Sequence, residues 1–187
     1  MSKNTVFPES IKYIHKKIND ILSQVDEKDI KIVKKLFFQS NRIFVYGAGR
    51  SGLVAKAFAI RLVHLGFQTF VIGETITAPV QKGDLVLIVS GSGETIPAVM
   101  TAEIAHNLKA NVISITGKKN SNIAKYANVT LYIKSACNDE IRKKYAPLGT
   151  LFEASVWVLL DGLVADILDS KKETEEIMQA RHATLEQ

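Results

Sequence analysis

The sequence predicts a doubly wound α/β domain, and three observations predict it. Short runs of β-forming residues alternate with segments of helical periodicity from residue 42 onward. The clearest strand, Asp84-Leu85-Val86-Leu87-Ile88-Val89, is apolar after its first residue, as a strand covered on both faces must be. Two glycine-rich turns each join a strand to a helix. Such alternation gives a parallel sheet, and right-handed crossovers then lay helices on both of its faces.

The elements follow in order. Ile11, Ile14, Ile18, Ile21, Leu22 and Val25 recur at helical spacing, and a second helix starts near Asp26 and runs through Ile30, Val33, Leu36 and Phe37. The period then changes. Residues 42–46 are β-formers stopped by Gly47, residues 51–65 form a helix apolar almost all round, and residues 68–72 form a second strand. After the strand at 84–89, a helix spans 95–108 with Pro97 in its first turn, where proline is tolerated. A strand at 111–115, a short helix at 122–126 and a last strand at 129–133 complete the alternation. Residues 134–149 are polar and irregular, with Asn138, Asp139, Pro147 and Gly149, and are expected to form a long loop. An apolar helix follows from Thr150, then a charged helical tail from Lys171.

The 187 residues, 47% hydrophobic and 23% charged, exclude a disordered, collagenous or coiled-coil chain and fit a single domain over 1–187. Within it, 1–40 are N-terminal helices, 41–134 the sheet core and 150–187 the C-terminal helices. The net charge of +5 is scattered, with only short pairs such as Lys118-Lys119 and Lys143-Lys144. That favours small anionic ligands over nucleic acid. No apolar signal segment opens the chain, and Glu153, Asp161 and Asp166 argue against a membrane span in the apolar stretch 151–168, which is expected in a core or a subunit interface. The lone Cys137 permits neither an intrachain disulfide nor a cysteine-based metal site, which fits a reducing, cytoplasmic compartment.

The first turn, Gly47-Ala48-Gly49-Arg50-Ser51-Gly52, matches a dinucleotide fingerprint, and Glu74 lies near the position of a ribose-binding acid. The second, Ser90-Gly91-Ser92-Gly93-Glu94-Thr95, is dense in small donors. Glycines let successive N–H groups converge on one anion, the helix N-terminus adds partial positive charge, and three hydroxyls suit the three oxygens of a phosphate monoester. The bland alternative is that Ser92 or Thr95 simply caps the helix. If the two strands are neighbours, Ser51 faces the same phosphate.

Glu153 falls in the first turn of the apolar helix, with Leu151, Phe152, Ala154 and, one turn on, Trp157 around it. A carboxylate among apolar groups is a candidate general base, although a favourable helix N-terminal charge would look the same. Asp161 and Asp166 are weaker candidates, expected on faces toward solvent or a partner. The histidines His15, His64, His106 and His182 show no metal-binding spacing. His64 lies near a helix C-terminus, His15 and His106 are expected at the surface, and His182 sits in the charged tail.

The two turns, taken with Pro147-Leu148-Gly149-Thr150-Leu151-Phe152-Glu153, resemble the sugar isomerase (SIS) domain family, and more narrowly its 6-phospho-3-hexuloisomerases. Arg61-Leu62-Val63-His64-Leu65-Gly66-Phe67, Gly73-Glu74 and Arg181-His182-Ala183-Thr184-Leu185-Glu186 strengthen the likeness, with Thr184 standing where the family typically has Asn. The resemblance implies a five-stranded parallel sheet of flavodoxin-like order in an α/β/α sandwich, with flanking terminal helices. It also implies a homo-oligomer, usually a tetramer, and interconversion of D-arabino-hex-3-ulose 6-phosphate with D-fructose 6-phosphate, without redox cofactor or metal. The substrate-binding set is then Gly49, Arg50 and Ser51 with Ser90, Gly91, Ser92, Gly93, Glu94 and Thr95. Glu153 is the implied base, and His182 is implied to reach the site across a subunit boundary. Arg61 and His64, farther along the helix after Ser51, are further substrate-side donors. Two other functions remain open: a sugar-phosphate sensor without catalysis, and a nicotinamide-dinucleotide-binding protein.

Overall fold

The computed structural model describes residues 5–135 and 140–183. Helix α1 (Val6–Leu22) leads into α2 (Glu27–Gln39), whose cap Asp26 accepts a hydrogen bond from the Lys28 N–H at 2.8 Å. Then follow β1 (Ile43–Gly47), α3 (Gly49–His64), β2 (Thr69–Val71), β3 (Leu85–Ser90), α4 (Ile96–Asn107) and β4 (Asn111–Thr116). A single 3-10 turn (Ile123–Tyr126), β5 (Val129–Tyr132), α5 (Glu140–Tyr145), α6 (Thr150–Lys171) and α7 (Glu175–Ala180) complete the chain.

The five strands form one parallel sheet in the order β2-β1-β3-β4-β5. The chain winds outward from β1 in one direction and from β3 in the other, so the order reverses between these neighbours. Gly47, which ends β1, lies opposite Val89 on β3. Both glycine-rich turns therefore emerge side by side at the switch point, where open α/β sheets bind ligands.

All six residues of β3 are buried, as its uniform apolarity requires. Alternate strand residues feed two cores. Leu85, Leu87 and Val89 face α1, α2, α3 and α6, whereas Val86 and Ile88 face α4, whose Ala98, Ala102 and Ala105 let it lie close to the sheet. At the opposite edge, Arg42 and Asp84 sit just ahead of β1 and β3 and form an ion pair of 2.7 Å, with Asp84 only 1% exposed. The pair and the Gln81 N–H, 2.7 Å from the same carboxylate, fix the starts of the two central strands.

One expectation needs correction. The stretch 134–149 is not irregular throughout, because Glu140–Tyr145 is helical. Six residues carry too little periodicity to register in a sequence; the segment is held by long-range contacts. Ser10 donates its hydroxyl to the Tyr145 carbonyl at 2.5 Å, the two rings of Tyr13 and Tyr145 meet at 5.9 Å, and Ala146 is fully buried. Cys137, Asn138, Asp139, Thr184, Leu185 and Glu186 lie outside the described residues. Among the described residues, no helix is long and apolar enough to cross a membrane.

Candidate active site

The first turn is shaped by close approach. A Cβ at Gly52 would stand 2.4 Å from the Gly47 carbonyl oxygen, so glycine there lets α3 pack directly on β1. Gly49 takes a left-handed φ of 56° and turns the chain into the helix. Arg50 and Ser51 then occupy the first turn of α3, where backbone N–H groups lack helical partners. Glu74 forms an ion pair of 2.5 Å with Lys56.

The second turn is equally constrained. Gly93 has φ 65°, and a Cβ there would lie 2.3 Å from that of Ser121. Ser90 is buried and receives the Gly93 N–H on its hydroxyl at 3.1 Å. The Ser92 hydroxyl receives the Glu94 N–H at 3.2 Å. Thr95 caps α4 by position, but its side chain makes no capping bond; its hydroxyl oxygen lies 3.4 Å from those of both Ser90 and Ser92. The hydroxyls thus cluster with one another rather than serving the helix end. Glu94 turns to the side, bound to Asn122 and, at 2.9 Å, to Lys118. The Lys118 ammonium holds its carboxyl below the usual carboxylate range.

The start of α6 completes the site. Gly149 is its cap residue, and a Cβ at Gly91 would stand 3.2 Å from the Phe152 ring, so the second turn and the first turn of α6 are in contact. Glu153 follows Phe152 and is 12% exposed. Its neighbours are not only apolar: Arg50, from the first turn of α3, donates its Nε hydrogen to Glu153 Oε2. Trp157, one turn on, is half exposed rather than a wall around the carboxylate.

A cleft of about 610 Å3 lies between these elements, lined by Ser51, Gly91, Ser92, Gly117, Ser135, Arg142, Leu148, Gly149, Leu151, Phe152 and Glu153. It joins Ser51 and Ser92, from two turns, to the carboxylate from a third element. Gly117, Ser135 and Arg142 stand outside the motifs that mark the site in the sequence. Arg142 lies on α5, whose shortness hid it. Behind the Arg50–Glu153 pair, a second groove of about 470 Å3 is lined by apolar residues including Ile18, Leu53, Val54, Trp157 and Val158.

Arg61, His64 and His182 are not brought to this cleft within one chain. His64 ends α3, roughly 20 Å along the helix axis from Arg50. Its ring stacks on His182 at 4.9 Å. Burial, then the nearby His182 and Arg61, hold the His64 imidazole below its ordinary value. Arg181 anchors the tail there, bonding Glu173 at 2.6 and 3.2 Å and the His64 carbonyl at 3.1 Å. His15 and His106 are exposed, and Asp166 pairs with Lys34 at 2.7 Å. Among the described residues, no three His, Cys, Asp or Glu side chains cluster as metal ligands would.

The family model of the SIS domain matches residues 36–154. A 3-hexulose-6-phosphate isomerase of Bacillus subtilis (strain 168) is 39% identical over 150 residues, spanning 79% of this chain and 81% of its own length. Another from Methylomonas aminofaciens is 36% identical over 170 residues, spanning 90% and 92%. The crystal structure of MJ1247 from Methanococcus jannaschii, inferred to be a 3-hexulose-6-phosphate isomerase, superposes with a TM-score of 0.85 at 30% identity, over 95% of this chain and 99% of that one.

Proposed function

The chain belongs to the SIS domain family, and we propose that it interconverts D-arabino-hex-3-ulose 6-phosphate and D-fructose 6-phosphate. The observation that carries this reading is a single cleft holding hydroxyls and helix N-termini suited to a phosphate at one part and a half-sequestered carboxylate, Glu153, at another. The relatives named for this reaction support it over most of their length.

Ser51, Ser92 and the N–H groups of the two turns bind the phosphate, with Ser90 and Thr95 bracing the second turn from beneath. Anchoring that end sets the sugar carbons against Glu153, and binding energy used in this way raises the rate. The Glu153 carboxylate takes the proton from C2. The C–H pair becomes the C2–C3 double bond, and the C3 carbonyl pair moves onto O3. A proton then passes from O2 to O3, the Glu153 carboxyl returns its proton to C3, and the C2 carbonyl forms. Atoms and electrons balance with no external oxidant or reductant. A 3-ketose phosphorylated on O6 cannot close through that oxygen, and closure through O5 would give a four-membered ring. The substrate therefore enters open-chain, and no ring-opening acid is needed in the forward direction.

The protein acts as a cytoplasmic homo-oligomer, a tetramer in this reading, in formaldehyde fixation through ribulose monophosphate or its reverse. Two separate apolar faces support association. Ile96, Met100 and Ile104 on α4 form an exposed stripe with the cap residue Leu108, and Leu53, Ile60, Val63, Trp157 and Val158 are exposed on α3 and α6. A second copy against the latter would close the groove behind Arg50 and Glu153 and bring its own Arg61, His64 and His182 toward a neighbouring cleft.

The test is a coupled assay offering hexulose 6-phosphate, arabinose 5-phosphate and glucosamine 6-phosphate in parallel. Turnover of the first alone is expected. A protein that binds fructose 6-phosphate yet converts none of the three is a sensor, and the catalytic reading fails.

A further inference from the structure

We infer that Arg142 is a substrate-contacting residue that holds the two sugar oxygens, O2 and O3, as negative charge develops on them. This deepens the isomerase reading and rests on it.

Arg142 is the one cation among the described residues lining the cleft that also holds Ser51, Ser92 and Glu153. Arg50, by contrast, lines the groove behind Glu153 and is bonded to its carboxylate. The other cations of α5 are engaged outside the cleft: Lys143 pairs with Glu140 at 2.6 Å, and the Lys144 ammonium lies 5.2 Å from the Tyr145 ring centre.

Which end of the substrate Arg142 serves follows from its neighbours. Its guanidinium donates to the Leu148 carbonyl at 3.3 Å. Leu148 precedes Gly149, whose Cβ position lies 2.9 Å from Glu153 Oε1. The guanidinium thus sits beside the turn that leads into α6 and presents Glu153. Phosphate held by the turns leaves C2 and C3 near Glu153, and hence O2 and O3 near Arg142.

The chemistry fits the group. A cis-enediolate carries its charge first on O3 and then on O2, two oxygens side by side. A planar guanidinium presents parallel donors to such a pair, whereas an ammonium is a single point charge. The donor is also held in place before reaction, since α5 is tied to α1 through Ser10 and Tyr145. Preorganised donors aimed at developing charge are among the largest contributions an enzyme makes.

The test measures kcat, KM and inhibition by inorganic phosphate for the full chain, wild type and Arg142→Met, with Lys143→Met as a control expected to behave as wild type. Arg142→Met is expected to lower kcat by about 10²–10³, the scale for one oxyanion donor, with phosphate inhibition unchanged. In Arg142→Ala, added guanidinium ion well below denaturing concentrations should restore part of the lost turnover. If Arg142→Met unfolds, Arg142→Lys is read instead, with the same loss of kcat and the same unchanged phosphate inhibition expected. Unchanged kcat overturns the inference, and so does weakened phosphate inhibition at constant kcat, which would make Arg142 a phosphate ligand. A loss of kcat with no guanidinium rescue and a lowered melting temperature also overturns it, leaving Arg142 as a brace for Leu148. An inactive wild type, in contrast, sinks the isomerase reading itself.

Discussion

Arg50 and Glu153, 103 positions apart in sequence, meet through a hydrogen bond between the first turns of α3 and α6. The guanidinium is 71% exposed and the carboxylate 12%, so the arginine reaches from solvent to hold a sheltered carboxylate. The bond places Glu153 between the polar cleft and the apolar groove, and it gives each partner a separable role.

Glu153→Gln keeps the shape and the hydrogen bond acceptor but cannot take a proton. Turnover should fall by about 10² or more, the scale of general-base loss, while fructose 6-phosphate still binds and thermal unfolding is little changed. A Gln variant with normal kcat places the base elsewhere.

Arg50→Met leaves the carboxylate in place but unaimed. Small displacements of a reacting group cost up to about 10²-fold, so kcat should drop by roughly 10- to 100-fold. Steady-state kinetics check this; because the pair is surface-exposed on the arginine side, chemical denaturation should show little loss of stability.

Gly93→Ala meets two obstacles, a φ of 65° and a neighbour 2.3 Å from the new Cβ. Left-handed backbone costs roughly 1–2 kcal/mol and overpacking about 1–3 kcal/mol. A loss of at least about 2 kcal/mol in urea unfolding is expected, together with loss of phosphate inhibition, since the second turn must move.

Stability should depend on pH in two windows. His64 has a folded pKa below its unfolded value, so the unfolded chain binds the proton more readily. Its contribution is present above about pH 6.5 and is lost as pH falls through that value. Melting temperatures from pH 8 to pH 5.5 should decline, and His64→Gln should flatten the slope. Glu94 and Glu173 have folded pKa values held down by Lys118 and Arg181 respectively. Their contributions persist through that window and are lost only at lower pH, as the carboxylates protonate. A His64→Gln variant with the wild-type slope would remove the histidine from this account.

Fructose 6-phosphate at 100 times its Kd should stabilise the fold by about 2.7 kcal/mol, and NAD should not. Differential scanning fluorimetry separates them. The first turn supports this outcome: its glycines are accounted for by the contact of Gly52 with Gly47, and Glu74 is paired with Lys56. A shift with NAD alone would revive the dinucleotide reading.

Much of the molecule is legible in its sequence. An apolar run such as Leu85–Val89 can be stable only between two layers, and glycine at positions 47, 49, 52 and 93 answers a local need for close approach or left-handed backbone. These are short-range constraints, so strands, helices, both turns and the position of Glu153 at a helix start could be read from neighbouring residues. What no window of sequence holds is which distant groups meet. Tertiary packing decided that Arg50 binds Glu153, that the hydroxyls cluster instead of capping α4, and that His182 stacks on His64 away from the cleft. It also made a helix of six residues, too short to hold itself, by pinning Tyr145 to α1, and so set Arg142 in the lining of the cleft that holds Glu153. Local chemistry fixes backbone geometry over a few residues, whereas a site assembled from three segments exists only once the long-range contacts have closed.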